Sequence, residues 1–309
     1  MENRMYDVLV VGGGPGGYTA ALYCARAGMS VAVLEKLAAG GQMATTGEID
    51  NYPGFEAGVD GFELGQKMQQ QAQRFGVETY LADVTAAHLT PFPKRLETSA
   101  GVFLGKAVIL ATGASARELG VPHEAELRGR GVTYCATCDG MMYRGKEVAV
   151  VGGGNSAVAD ALVLAKFCKK VTLIHRRDEL RASKVYMQAL ENSGIEIRWN
   201  SVVKELLFDQ RLSGVRLTDV KTGQESDLAC EGLFVAVGRV PDTALFQGQV
   251  EMDQAGYLLA DETTRTNLPG VYAVGDVRQK PLRQIVTATA DGAVASHFIE
   301  EYLMEVEGK

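Results

Sequence analysis

Short apolar, β-branched runs recur along the chain, and each stops at a glycine. Residues 6–11 form the first, rich enough in Val and Leu to predict a strand buried on both faces. Gly12 to Gly17 follow, then an alanine-rich stretch of helical character over residues 18–27. A second run, Val31 to Leu34, ends at Glu35. Leu64, Met68, Ala72 and Phe75 recur at helical spacing while Gln66, Gln69, Gln70 and Gln73 take the opposite side, which predicts an amphipathic helix with its methionine in the core. Alternating strands are predicted up to about residue 104. Residues 107–110 then make a buried strand that closes at Ala111, Thr112 and Gly113. Residues 148–151 lead into Gly152 to Ala157 and another alanine-rich helix, followed by a strand at 171–174. Beyond Lys184, helix and short strands alternate. Residues 232–238 read as a strand, a further one ends near Gly275 and Asp276, and a last helix runs over 287–304.

Two of these stretches are copies. At a constant offset of 140 residues, Gly12 matches Gly152, Gly14 matches Gly154 and Val31 matches Val171. The fold class expected is therefore α/β, built from two Rossmann-like dinucleotide-binding domains. Polar, glycine-punctuated residues 114–131 and the Pro241-containing stretch 239–243 read as the two crossings between them. One domain is thus inserted in the other, with residues 1–115 and 244–309 forming the outer domain and 116–243 the inner. Residues 38–58, rich in Gly, Thr and Asn, have no strong period and read as a binding loop.

Composition narrows the function classes. The chain has 309 residues, ample for two cores, with 46% hydrophobic and 22% charged residues. A formal charge of -7 and a pI near 5.3 argue against a nucleic-acid surface. Met1 to Asp7 lack the apolar core of a signal peptide, and no apolar run approaches a bilayer span. The expectation is a cytoplasmic protein with no membrane or nucleic-acid partner.

The glycine loops carry cofactor chemistry. Gly12, Gly14 and Gly17 fit a pattern in which one glycine makes the tight turn, one lets backbone approach a pyrophosphate and one packs helix on strand. Glu35, at the end of the next strand, is placed to accept ribose hydroxyls. At the equivalent position of the second copy stands His175, followed by Arg176, Arg177 and then Arg181. Guanidinium groups suit a 2′-phosphate that a carboxylate would repel. The first site is expected to take an unphosphorylated adenosine ribose and the second NADPH.

Between the two loops lie Cys135 and Cys138, two residues apart, followed by Asp139 and Gly140. Such a pair can close and reopen a disulfide. Cys24, Cys168 and Cys230 are single and scattered, so the clustered four-ligand spacing of a zinc site is missing. Five cysteines is an odd number, which fits a reducing compartment and one reactive pair better than a secreted framework. A dithiol flanked by two nucleotide loops reads as an electron relay.

These pieces, with Gly40, Gly41 and Gln42, Asn51 to Gly54, Gly275 and Asp276, and Arg283 and Gln284, resemble the low-molecular-weight thioredoxin reductases of the bacterial type nearly end to end. The resemblance implies FAD in the first site, NADPH in the second, a homodimer, and reduction of a thioredoxin or thioredoxin-like disulfide. It implies that Cys138 faces the flavin, that Cys135 attacks the protein substrate and that Asp139 donates a proton. It extends the FAD set to Pro15, Gly41, Gln42, Asn51, Val84, Thr112, Gly113, Gly275, Asp276, Arg283 and Gln284, and the NADPH set to Asn155 and Ser156. Ala159 and Asp160 depart from the two glutamates many members carry. Two other readings remain open: a related flavoprotein serving another thiol carrier or running as a dithiol oxidase, and a nucleotide-binding redox sensor without turnover.

Overall fold

A computed structural model describes residues 5–45 and 48–308. Met1 to Arg4, part of the stretch read for a signal peptide, and Thr46 and Gly47, within the predicted binding loop, lie outside the described residues.

The chain runs β1 (Met5–Val11), α1 (Pro15–Arg26), β2 (Val31–Glu35), a 3₁₀ turn (Gly41–Thr45), β3 (Glu48–Ile49), β4 (Val59–Asp60), α2 (Gly61–Gln73), β5 (Glu78–Leu81), β6 (Val84–His88), β7 (Lys94–Thr98) and β8 (Gly101–Leu110). It continues through β9 (Ala114–Ala116), β10 (Val132–Thr133), the four-residue α3 (Ala136–Asp139), a 3₁₀ turn (Gly140–Tyr143), β11 (Glu147–Gly152), α4 (Asn155–Leu164), β12 (Lys170–Ile174) and α5 (Lys184–Glu191). Strands β13 (Glu196–Arg198), β14 (Ser201–Phe208), β15 (Leu212–Asp219), β16 (Glu225–Ala229), β17 (Gly232–Ala236) and β18 (Arg239–Pro241) come next, then β19 (Val271–Ala273) and α6 (Ile285–Glu307).

These elements divide into two compact units, Met1–Ser115 with Val240–Lys309, and Ala116–Arg239. The first crossing is a single strand, β9, much shorter than residues 114–131. Leu127, at 1% exposure, and Leu119 and Val121 pack in the core of the inner unit, where their apolar surface outweighs the polar composition around them. The return crossing lies at Arg239 and Val240, four residues ahead of 244.

In the outer unit, β5, β2, β1, β8 and β19 are parallel, with β7 and β6 added antiparallel beyond β8. Both faces of β1 are covered. Val8 and Val10 face α1 and α6 through Ala20, Ala21, Ala295 and Ile299, while Leu9 and Val11 face the opposite core with Leu34, Val108 and Phe246. Each such buried Val or Leu contributes about 1.5–3 kcal/mol. The helices α1 and α6 meet where a Cβ on Gly292 would stand 2.5 Å from the carbonyl oxygen of Gly16. Phe75 corrects the predicted helix stripe: α2 ends at Gln73, and Phe75 is 40% exposed on the turn beyond it.

The inner unit repeats the plan with a parallel sheet ordered β10-β17-β11-β12-β13. Val148 and Val150 face one core and Ala149 and Val151 the other, the same alternation as in β1. An antiparallel sheet of β14, β15 and β16 packs on the second of these cores.

Candidate functional site

In the outer unit, β1 delivers the chain into a loop whose first position only glycine can occupy. Gly12 has φ +102°, and a Cβ there would sit 2.5 Å from the carbonyl oxygen of Ala111. A Cβ on Gly17 would run into the carbonyl oxygen of Gly12, so the helix lies directly on the strand end. Gly14 is the N-cap of α1, without a side-chain cap, and nothing stands within 4 Å of where its Cβ would be. The start of α1, with no side-chain cap, Pro15 carrying no N–H and bare backbone at Gly14, makes a cradle that fits a pyrophosphate.

Glu35 does more than wait for a ribose. Its Oε2 accepts from Gly13 N at 2.6 Å and its Oε1 from Leu37 N at 3.1 Å, so it also pins the loop. Gly40 N donates to Gly13 O at 2.8 Å, and a Cβ on Gly41 would stand 3.4 Å from Gly14 Cα, which brings the 40–42 loop against the first. Gln42 is exposed. Asn51 Nδ2 donates to Gln284 Oε1 at 3.0 Å, joining two predicted residues 233 positions apart. Thr112 Oγ1 donates to Asp242 O at 2.6 Å, and Asp242 N to Gly113 O at 3.1 Å. Arg283 lies over the Tyr257 ring, 3.9 Å from its centroid, and donates through Nε to Asp276 O at 3.3 Å. Val84 is placed in the hydrophobic core, so it offers a ligand no side-chain function.

Behind Gly275 and Asp276 lies a buried group that sequence reasoning missed. Asp291 Oδ2 accepts from Gly275 N at 2.9 Å and from Lys280 Nζ at 2.6 Å, and Arg278 Nε stands 3.5 Å away. A lone aspartate on the apolar side of α6 was its only signal.

In the inner unit, Gly154 is likewise an N-cap without a side-chain cap, with nothing within 4 Å of its Cβ position. Asn155 and Ser156 are exposed at the start of α4. Ala157 stands where the outer unit has Gly17. His175 is 6% exposed, its ring directly under Gly153 so that a Cβ there would collide with it. Its Nε2 is 3.0 Å from Glu179 O, and burial holds its pKa below the usual imidazole value. His175 thus supports the loop from beneath. Arg181 N donates to Gly153 O at 2.7 Å and Ser183 N to Asn155 Oδ1 at 2.8 Å, which fastens the arginine segment to the glycine loop. The side chains of Arg176, Arg177 and Arg181 are exposed.

Cys135 and Cys138 form a disulfide, with Cα atoms 5.3 Å apart. Cys135 is the N-cap of α3, and its Sγ accepts from Cys138 N at 3.1 Å. Asp139 is half-buried, burial raises its pKa, and the Thr133 hydroxyl that donates to its Oδ2 acts in the opposite sense. Cys24 and Cys230 are buried, each thiol pushed up to about 12 by burial, and Cys168 is raised to about 11. Among the described residues these three are free thiols held in their unreactive form.

Residues 6–292 match the pyridine nucleotide-disulphide oxidoreductase family. The chain is 46% identical over 301 residues to the thioredoxin reductase of Streptomyces coelicolor, covering 96% of this chain and 94% of the relative. It is 41% identical to the thioredoxin reductase of Bacillus subtilis, covering 99% and 97%. A crystal structure of thioredoxin reductase from Streptococcus pyogenes superposes with a TM-score of 0.91 at 45% identity, covering 98% of this chain and all of that one.

Proposed function

The chain belongs to the thioredoxin reductases of the pyridine nucleotide-disulphide oxidoreductase family, and from that premise we propose that it carries electrons from NADPH, through FAD and the Cys135–Cys138 pair, to the disulfide of a thioredoxin-like protein. The observation that carries the reading is the closed Cys135–Cys138 disulfide with Asp139 half-buried immediately after it.

FAD and NADPH are the family's cofactors, and the two uncapped helix starts fit their pyrophosphates. We assign FAD to the outer unit, held at Gly12, Gly14, Pro15, Gly17, Glu35, Gly41, Gln42, Asn51, Val84, Thr112, Gly113, Gly275, Asp276, Arg283 and Gln284. NADPH is assigned to the inner unit, with Gly152, Gly154, Asn155 and Ser156 at the pyrophosphate and Arg176, Arg177 and Arg181 at the 2′-phosphate, His175 holding the loop. Bound in these sites, NADPH would supply a hydride and FAD would relay its two electrons to the disulfide.

In the opened pair we assign Cys138 the exchange with the flavin and Cys135 the attack on the substrate. The Cys138 N–H that already points at Cys135 Sγ stabilises that sulfur as a thiolate. Cys135 then forms a mixed disulfide with the substrate, Cys138 displaces the substrate thiolate, and the pair closes again. The balance is one hydride from NADPH and one solvent proton per substrate disulfide, with Asp139 handling a proton beside the pair. Met141 and Met142, each 53% exposed just beyond the dithiol, give a protein substrate an apolar, adaptable surface. The assembly proposed is a cytoplasmic homodimer; among the described residues no helix is long and apolar enough to cross a membrane.

The test is NADPH oxidation by the yellow protein, expected only when an oxidised thioredoxin is present. Turnover without it, with oxygen as acceptor, supports the oxidase instead. In Cys135→Ser, a long-wavelength charge-transfer band from Cys138 thiolate is expected. Its appearance in Cys138→Ser alone reverses the roles of the two cysteines.

A further inference from the structure

Thr133 is the second residue of β10, the edge strand of the inner sheet, and it is 4% exposed. Pairing with β17, in which Thr133 lies opposite Phe234, fixes its backbone. From that anchor its hydroxyl reaches two parts of the dithiol turn at once. It donates to Asp139 Oδ2, and it accepts from Cys135 N at 3.4 Å. The turn closes on itself through Asp139 N to Cys135 O at 3.1 Å. A single hydroxyl on the framework therefore ties down both the carboxylate and the cysteine.

We propose that Thr133 is a positioning residue for the disulfide reduction: its hydroxyl aims the Asp139 carboxyl and favours that carboxyl's ionised form, so it sets the pH range over which Asp139 can serve as the proton donor. The inference rests on the role given to Asp139 above and deepens it.

The physical argument concerns the two protonation states. A hydroxyl with a single proton stabilises a carboxylate by donating to it, and its donation to Oδ2 does so where burial works against the charge. When Asp139 is protonated, the same hydroxyl can rotate and accept instead, so the contact survives both states while favouring the ionised one. Among the other titratable groups around the turn, Tyr134, between Thr133 and Cys135, donates to Glu124 Oε1 at 2.8 Å. Tyr143, on the 3₁₀ turn after α3, feels the Asp139 charge, and Arg211 acts on Tyr143 from the β14–β15 turn. On α4, which packs against α3, Asp160 has Arg239 as its electrostatic partner. Thr133 is the hydrogen-bonding group that offsets the burial of Asp139.

Thr133→Val keeps the shape and β-branching but removes the hydroxyl, and Thr133→Ser restores it. For a general acid, activity falls as pH rises through its pKa. Losing a hydrogen bond to the charged form raises that pKa, so the alkaline limb of kcat/KM for thioredoxin reduction should move up by about one pH unit in Thr133→Val and return in Thr133→Ser. Independently of turnover, the carboxyl band of Asp139, identified by its loss in Asp139→Asn, should titrate at the same higher pH in infrared difference spectra of the oxidised holoenzyme. If Thr133→Val lowers the rate but leaves both the limb and the band in place, or Ser fails to restore them, Thr133 only packs and the proposal is overturned. The underlying assignment fails separately: Asp139→Asn would then keep the alkaline limb and the rate.

Discussion

The two glycine loops are built on the same backbone plan, yet different side chains hold them. In the outer unit a carboxylate, Glu35, reaches up from the end of β2 and accepts from Gly13 N. In the inner unit, at the equivalent strand end, the His175 ring lies beneath Gly153 and fastens to Glu179 O. The helices differ too, since α1 presents Gly17 to the Gly12 carbonyl, whereas α4 presents the Ala157 methyl, which would stand 2.6 Å from a Cβ placed on Gly152. The comparison separates two jobs. The bare cradle is made by backbone and is common to both. The residue at the second strand end supports the loop and, in the function proposed above, selects the ribose together with its immediate successors.

The largest effect expected comes from forcing one loop to copy the other at the third glycine. Gly17→Ala puts a methyl group into the Gly12 carbonyl, and overpacking against backbone should cost about 1–3 kcal/mol or more and leave the purified protein without bound FAD. The reciprocal Ala157→Gly should cost only about 1 kcal/mol of helix stability and keep NADPH binding. Equal tolerance at both positions would mean that the two helices sit alike.

Next comes the support beneath the second loop. Gly153→Ala collides with the His175 ring, so affinity for NADPH and for NADH should both fall by about two orders of magnitude while FAD stays bound, a loss worth about 2.7 kcal/mol. Gly153→Ala combined with His175→Ala should recover most of it, as measured by titration calorimetry. No recovery would show that the glycine is needed for its own conformation.

Replacing Arg176 and Arg177 with Ala should weaken NADPH roughly ten- to a hundredfold for each charged hydrogen bond lost, with NADH little changed. If both dinucleotides lose equally in steady-state KM and in binding, the arginines shape the loop and do not read the phosphate.

The smallest effect is on stability. Fully buried Ala20 in α1 is matched by Asp160 in α4, whose carboxyl is raised to about 6 chiefly by burial, with Arg239 pulling the other way. Because the folded pKa lies above the unfolded value of 3.8, the native state binds the proton more tightly, and the burial cost appears as pH rises from about 4 to about 6. Asp160→Asn should therefore raise the Tm at pH 7 by about 2–4 °C per kcal/mol recovered and do little at pH 4. A gain equal at both pH values would trace to packing.

Much of this was legible because it is local. Apolar runs ending in glycine, and the same spacing repeated 140 residues later, announce strand, loop and helix without any tertiary knowledge. The exchange of Glu35 for His175, Arg176 and Arg177 is equally plain at the matching positions, and the proposed assignment of the two cofactors rests on it. What escaped depends on distant partners. The first half of β8 was invisible as part of the same strand because only residues 107–110 are buried on both faces, whereas 101–106 alternate. Residues 117–131 look like linker by composition, but Leu127 and Glu124 are buried by neighbours the sequence does not name. Thr133 and Asp291 are ordinary polar residues until the fold sets them beside Asp139 and Gly275. The position of Glu35 in the sequence points to a ligand group, while its grip on Gly13 exists only in the folded loop.

Strand β8 is shared in an unusual order. Its first half pairs with β7, made just before it, whereas Val108, Ile109 and Leu110 pair with Val271, Tyr272 and Ala273. During vectorial synthesis the inner unit, one unbroken segment from Ala116 to Arg239, has all five strands of its parallel sheet once β17 has emerged. The outer unit must wait, with one edge of an apolar strand open, until β19 and α6 leave the ribosome. On the ribosome the guest is thus ready before its host, and a stalled or truncated chain exposes the Val108–Leu110 edge to its neighbours.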